Sequence, residues 1–119
     1  MAIIGLDHIQ LAIPESGEDK ARAFYGDLLG MREVAKPANL SRKGCWFEAG
    51  SLNLHIGVDP NFQPASKAHP ALLVDDLDHI ETRLAAAGYP IAIDKPIIGY
   101  CRFFTNDPFG NRIEIMQKT

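Results

Sequence analysis

A chain of 119 residues, 46% hydrophobic, with a formal net charge of −3, has the size of one ordinary domain and enough apolar content for a core. Its 12 basic and 15 acidic residues are scattered, which argues against a nucleic-acid surface or an acidic membrane as partner. Two cysteines, Cys45 and Cys101, are too few for a disulfide framework and read as reduced, mostly buried thiols. The opening "MAIIGLDHIQ" has no charged n-region, and no run approaches the roughly 20 apolar residues of a membrane span, so the expected place is the cytoplasm.

The first element is a strand, "LDHIQLAIP". Then comes "ESGEDKARAFYGDLLGM", where Ala21, Phe24, Tyr25 and Leu28 recur at helical steps. Ser16 and Asp19 are start signals for this helix and Gly30 a stop. Three strand-like pieces follow, "MREVAKP", "GCWFEAG" and "SLNLHIGV", with a tight turn at Gly50-Ser51 between the last two. The stretch "VDPNFQPASKAH" is an extended link.

A second series begins at "AHPALLVDD". Its helix, "DLDHIETRLAAAG", puts Leu77, Ile80, Leu84 and Ala87 on one face and stops at Gly88. Strand-like "PIAIDKP", "GYCRFFTND" and "NRIEIMQK" complete it, with Asp107-Pro108-Phe109-Gly110 turning between the last two. The order β-α-β-β-β thus occurs twice, in modules spanning about 4–59 and 67–118. Matching positions are His8 with His69 (61 residues apart), Gly30 with Gly88 (58), Cys45 with Cys101 (56) and His55 with Glu114 (59). A nearly constant offset is the mark of a repeated supersecondary unit.

Side chains alternate across a strand. With Ile9, Leu11 and Ile13 on the core face, His8, Gln10 and Ala12 face away. The same alternation puts His55 opposite Leu54 and Ile56, His69 opposite Pro70 and Leu72, and Glu114 opposite Ile113 and Ile115. Three of the four histidines and one carboxylate therefore occupy matched non-core positions. Neutral imidazoles and a carboxylate are good ligands for Zn, Ni, Fe, Mn or Co. His79, beside acidic residues in the second helix, reads as a solvated surface residue. Asp7, next to His8 on the strand, is expected to point away from it. Gln10 could bind substrate or water. Arg102 could meet an anionic substrate or form a surface ion pair, and Trp46 and Phe104 are expected in the core or a subunit contact.

The stretches "LDHIQLAIP", "ARAFYGDLLGM", "KAHPALLVDDLD" and "DPFGNRIEIMQ" together resemble the vicinal oxygen chelate superfamily, also called the glyoxalase/bleomycin resistance/dioxygenase family, over essentially the whole chain. The resemblance implies an α+β fold of paired βαβββ modules whose curved mixed sheet surrounds a metal cup. It implies metal ligands at His8, His55, His69 and Glu114, open coordination positions for substrate oxygens, Lewis-acid catalysis, and homodimerisation. It also offers several chemistries. A glyoxalase-like lyase or isomerase would use four ligands, with Glu114 doubling as the base, although His55 stands where those enzymes usually carry Glu. An extradiol dioxygenase would use Fe(II) on His8, His69 and Glu114, with His55 in an acid–base or supporting role. A fosfomycin-resistance transferase shares the His, His, Glu set, but the short tail after Met116 lacks the basic residues those enzymes use. A bleomycin-resistance protein would bind a drug without catalysis and without the metal ligands.

Overall fold

A computed structural model describes residues 2–119 as an α+β chain with two compact units, divided between Gln63 and Pro64. The first unit runs β1 (Ile9–Ile13), α1 (Glu18–Ala21) continuing as a π-helical segment (Arg22–Leu28), β2 (Arg32–Val34), β3 (Cys45–Ala49) and β4 (Leu52–Val58). Its sheet has the order β1-β4-β3-β2, with β1 parallel to β4 and the other pairs antiparallel. The second unit runs β5 (Ala71–Leu73), α2 (Leu77–Ala86), β6 (Tyr100–Asn106) and β7 (Arg112–Lys118), with the sheet order β5-β7-β6.

The repeat is visible in the strand register. Gln10 of β1 lies opposite His55 of β4, and Ala71 of β5 lies opposite Glu114 of β7. Both partners sit two residues after a histidine, His8 in one case and His69 in the other. The register corrects one expected match. Cys45 pairs with Ile56 and Phe103 with Ile115, so the counterpart of Cys45 is Phe103 and not Cys101. The two cysteines differ accordingly: Cys45 is buried, Cys101 is exposed, and both are free thiols.

Burial follows alternation. Ile13, Phe47, Leu54 and Ile56 form the first core with Ala21, Phe24 and Tyr25 from the helix, and Phe103, Ile113 and Ile115 form the second with Leu84. Each such large side chain contributes about 1.5–3 kcal/mol by leaving water. The first helix widens into π geometry where Phe24 and Tyr25, adjacent in sequence, are both fully buried. The Leu29 N–H reaches the Phe24 carbonyl five residues back at 3.0 Å. Neither Ser16 nor Asp19 caps this helix; the N-cap is Gly17, without a side-chain bond, and Ser16 adopts a positive φ of 64°. In α2 the cap is Asp76, accepting from the His79 N–H at 3.1 Å, and Ala87 lies outside the helix and exposed.

"PIAIDKP" does not become a full strand. Ala92 alone bridges Phe104, each N–H donating to the other's carbonyl at 2.8 Å. Pro90, two residues before Ala92, lacks the donor to extend that ladder toward the N-terminal side. Between β6 and β7 the buried Asp107 carboxylate accepts from the Phe109 and Asn111 N–H groups and the Asn111 amide, each at 2.9 Å. Asn111 Oδ1 in turn accepts from the Ala65 N–H at 3.0 Å. This network, with Arg112 N–H to Ala65 and Glu114 N–H to Pro70, lays residues 65–70 along β7 and brings His69 to Glu114.

Gly44 is required where it stands. Its φ is +79°, and a Cβ there would lie 2.2 Å from the Ile56 carbonyl oxygen. Burial also pushes the Cys45 thiol up to about 11, leaving almost no thiolate at neutral pH. A chromogenic disulfide reagent is therefore expected to titrate one fast thiol in the native protein and two after denaturation. Cys101→Ser should abolish the fast one; an unchanged fast phase in that variant would contradict the burial of Cys45.

Candidate functional site

In the first unit His8 precedes β1 instead of lying in it. Strand alternation therefore does not apply to Asp7, and its carboxylate does reach His8 Nδ1, at 2.9 Å. A proton kept on Nδ1 leaves Nε2 as the lone-pair donor. The His8 ring stacks on His55, with centroids 3.9 Å apart and planes inclined by 18°. Trp46, from β3, stacks on His55 at 3.7 Å and 3°. It is half-buried on the face shared with His55, because its strand neighbours Cys45 and Phe47 take the core side. Burial, and then the neighbouring His8, hold the His55 imidazole below its ordinary pKa, so it stays neutral further into acid. The stack lies in a hollow of about 660 Å³, lined among others by Gln10, Val34, Leu40 and Asn53. Gly57 makes room for Gln10: a Cβ there would meet the Gln10 amide nitrogen at 2.6 Å.

In the second unit His69 and Glu114 are brought together, Nε2 to Oε1 at 3.0 Å. His69 Nδ1 lies 3.0 Å from the Lys67 carbonyl. Unlike His8, His69 faces an acceptor at each ring nitrogen, so Nε2 donates to Glu114 here and would bind an ion only once that proton is displaced. Two ligands at right angles on one ion, each about 2.1 Å from it, would themselves be about 3 Å apart, so the His69–Glu114 spacing suits a shared cation. Glu114 is only 7% exposed, and a buried carboxylate needs partners. Arg102 Nη1 donates to Oε2 at 3.1 Å, and Arg102 Nη2 donates to the Lys95 carbonyl at 2.5 Å. Arg102, expected at substrate or in a surface pair, thus forms an ion pair away from the surface, with 11% of its side chain exposed. Phe104, buried, sets its ring against His69 edge-on at 5.1 Å.

The four expected ligands thus fall into two pairs, His8 with His55 in one unit and His69 with Glu114 in the other. Within either unit, among the described residues, no three His, Cys, Asp or Glu side chains gather into a metal-holding group. Asp7 and Trp46 were missed as site residues. The neighbour of Asp7 in sequence pointed to it only if His8 left the strand, and Trp46 was legible from its place two strands from Gln10 only once the register was known.

The match to family models covers residues 5–115 and is to the Glyoxalase/Bleomycin resistance protein/Dioxygenase superfamily. A crystal structure from Bacillus anthracis ascribed to the glyoxalase family is 45% identical, covers 100% of this chain and 98% of its own, and has a TM-score of 0.93. The chain belongs to this superfamily. The fold is shared with the fosfomycin resistance protein FosX of Listeria monocytogenes, in a mutant complexed with Mn(II) and dihydroxypropylphosphonic acid (22% identity, 99% and 95% covered, TM-score 0.81). It is also shared with lactoylglutathione lyase of Agrobacterium tumefaciens (23% identity, 92% and 91% covered, TM-score 0.67). No curated protein matches the sequence. No helix among the described residues is long and apolar enough to cross a membrane.

Among the described residues, removing Arg102 would leave Glu114 buried with His69 as its remaining side-chain partner. Arg102→Ala is expected to cost about 3 kcal/mol, in the range for breaking a buried ion pair. Urea denaturation checks this, and a loss under about 0.5 kcal/mol, the scale of an ordinary surface substitution, would mean the pair carries no burden.

Proposed function

We propose that the chain is a metal-dependent enzyme that holds one divalent cation (Zn, Ni, Fe, Mn or Co) with His8, His55, His69 and Glu114. It acts on a small, oxygen-rich substrate as a lyase or isomerase. The observation that carries this reading is the matched pair of sites. In both units a histidine with its Nδ1 facing an acceptor sits two residues before the register partner of a second potential ligand. Membership of the superfamily and the Mn(II) in the FosX complex support it.

When bound, the cation supplies Lewis-acid polarisation of a substrate oxygen. The chain's own residues do the rest. His8 offers Nε2, and His69 does so once the proton on that atom is displaced. Arg102 fixes Glu114 Oε2 and so directs Oε1 toward the ligand side, making Oε1 the atom that binds the metal or receives a proton from beside a carbonyl. Gln10, directly opposite His55 on the neighbouring strand, reaches substrate.

One observation favours a second reading, a facial triad of His8, His69 and Glu114 on Fe(II) in an extradiol-type dioxygenase. Ring nitrogen lone pairs lie in the ring plane, and the stacked His8 and His55 lie in nearly parallel planes with centroids 3.9 Å apart, which one ion cannot share. Joint coordination requires one ring to turn, whereas the triad leaves His55 stacked on Trp46 and free for acid–base work.

Metal analysis of protein purified without chelator is expected to find one divalent ion per site. His69→Ala and Glu114→Ala should lose it, and His79→Ala should keep it. His55→Ala loses metal under the first reading and keeps it under the second, in which catechols also drive O₂ consumption. Metal-free wild-type protein that binds a drug would instead support a non-catalytic resistance protein.

We also propose a homodimer. Within its own unit each of β1 and β5 has one unpaired edge, and Ile3, Ile4, Leu6 and Leu73 are exposed. Exposed apolar groups beside open strand edges favour association. Light scattering at micromolar concentration should give about twice 13.1 kDa; a monomer mass would refute the dimer.

A further inference from the structure

The second unit carries a guanidinium that none of the chemistry above uses. Arg112 occupies the same face of β7 as Glu114, two residues earlier, so the two side chains leave the strand roughly 7 Å apart. Its Cζ lies 3.9 Å from the centroid of the Phe104 ring, the ring that also meets His69. Among the described residues no carboxylate stands within ion-pair distance of it. Arg102, the other cation near this ring, has its Cζ 5.4 Å from the centroid and is already bonded to Glu114 and Lys95.

Arg112 opens on a hollow of about 220 Å³ lined by Phe104, Asn106, Asp94, Ala92 and Ile93. Asn106, the register partner of Arg112 on β6, adds a side-chain amide beside it. Asp94 lines the hollow too. Its carboxylate accepts from the Lys95 N–H at 2.7 Å. That bond, and then the charges of Arg102 and Arg112, favour its ionised form, though neither arginine forms an ion pair with it among the described residues.

We propose that Arg112, seated on Phe104, is a binding residue for the carboxylate of a small hydroxylated acid. The other oxygens of that ligand reach toward His69 and Glu114. The geometry of the side chains favours this class. A guanidinium whose flat face rests on an aromatic ring keeps its edge of N–H donors free, and that edge matches a carboxylate two-to-two. Stacking on Phe104 also removes rotamer freedom before the ligand arrives, lowering the entropy lost on binding. A neighbouring hydroxyl on the ligand can donate to the exposed Asp94 carboxylate, which offsets its repulsion of the anion. The ligand is short, because a strand's two-residue step separates its two anchoring points.

This proposal deepens the metal reading for its second contact, to His69 and Glu114, but the carboxylate contact stands without a metal. The test separates them. Glycolate is titrated into the full-length protein, both metal-free and Mn(II)-loaded, and binding is followed by isothermal titration calorimetry. Saturable binding in both forms is expected, tighter with Mn(II). Arg112→Gln should weaken it about tenfold or more, the usual scale for losing a charge-assisted pair, with Arg112→Lys between the two. Ethylene glycol, which lacks the charge, should not bind the metal-free protein. Circular dichroism and Mn(II) affinity, expected unchanged in both variants, show that fold and metal site are intact. Glycolate affinity equal in wild type and Arg112→Gln, or no binding to the metal-free wild type, overturns the proposal. Failure of Mn(II) to bind wild type while glycolate still does so through Arg112 overturns the metal reading alone.

Discussion

A carboxylate that folds into a nearly dry position must be neutralised or paired, and Glu114 meets that demand with two partners at once. One oxygen takes Arg102 and the other takes His69. Much of the second unit's arrangement serves this contact. The Asp107–Asn111 network pins residues 65–70 against β7, which sets His69 beside the carboxylate. The Lys95 carbonyl holds the far side of Arg102. The His69–Glu114 hydrogen bond and the Arg102 pair thus hold both oxygens of the carboxylate in fixed directions.

The first unit solves a different problem with the same register. It has imidazoles but no carboxylate at the matched positions, and its rings are held by stacking, with one acidic partner at His8. Trp46, His55 and His8 form a column, with Asp7 orienting the outermost ring. Stacking leaves the ring edges open, while burial and the neighbouring His8 favour the neutral form of His55, the state in which imidazole accepts a proton. The second unit answers with Phe104 in the place of Trp46, against His69 edge-on and under Arg112. An aromatic residue at matched positions of the two units braces each histidine, and in the second it also carries a guanidinium.

Where local rules were enough, the reading from sequence agrees with the structure. Alternation placed Leu54, Ile56, Ile113 and Ile115 in the cores and His55 and Glu114 on the opposite faces. Turn chemistry placed Gly50-Ser51 and the Asp107–Gly110 turn, because these depend on a few adjacent residues. The errors lie where a long-range partner decides. "PIAIDKP" has strand-like composition but pairs at a single residue, since its length as a strand depends on a neighbour and on Pro90. Ser16 looks like a cap, yet its backbone takes a left-handed turn and the cap falls to Gly17. His8 sits one residue outside the strand, and that shift alone brings Asp7 to its ring.

What the amino-acid order determined by itself was periodicity: two repeats of one β-α-β-β-β pattern, the apolar faces that must turn inward, and the four matched polar positions left on the other side. These follow from side-chain geometry along a single strand or helix, which needs no knowledge of the neighbours. Tertiary structure alone decided which charges meet. Arg102 binds Glu114 while Arg112 meets no carboxylate within ion-pair distance among the described residues, and Cys45 is buried while Cys101 is not, because strand register and the path of residues 65–70 set those distances. Register is a property of two strands together, so no reading of one strand contains it.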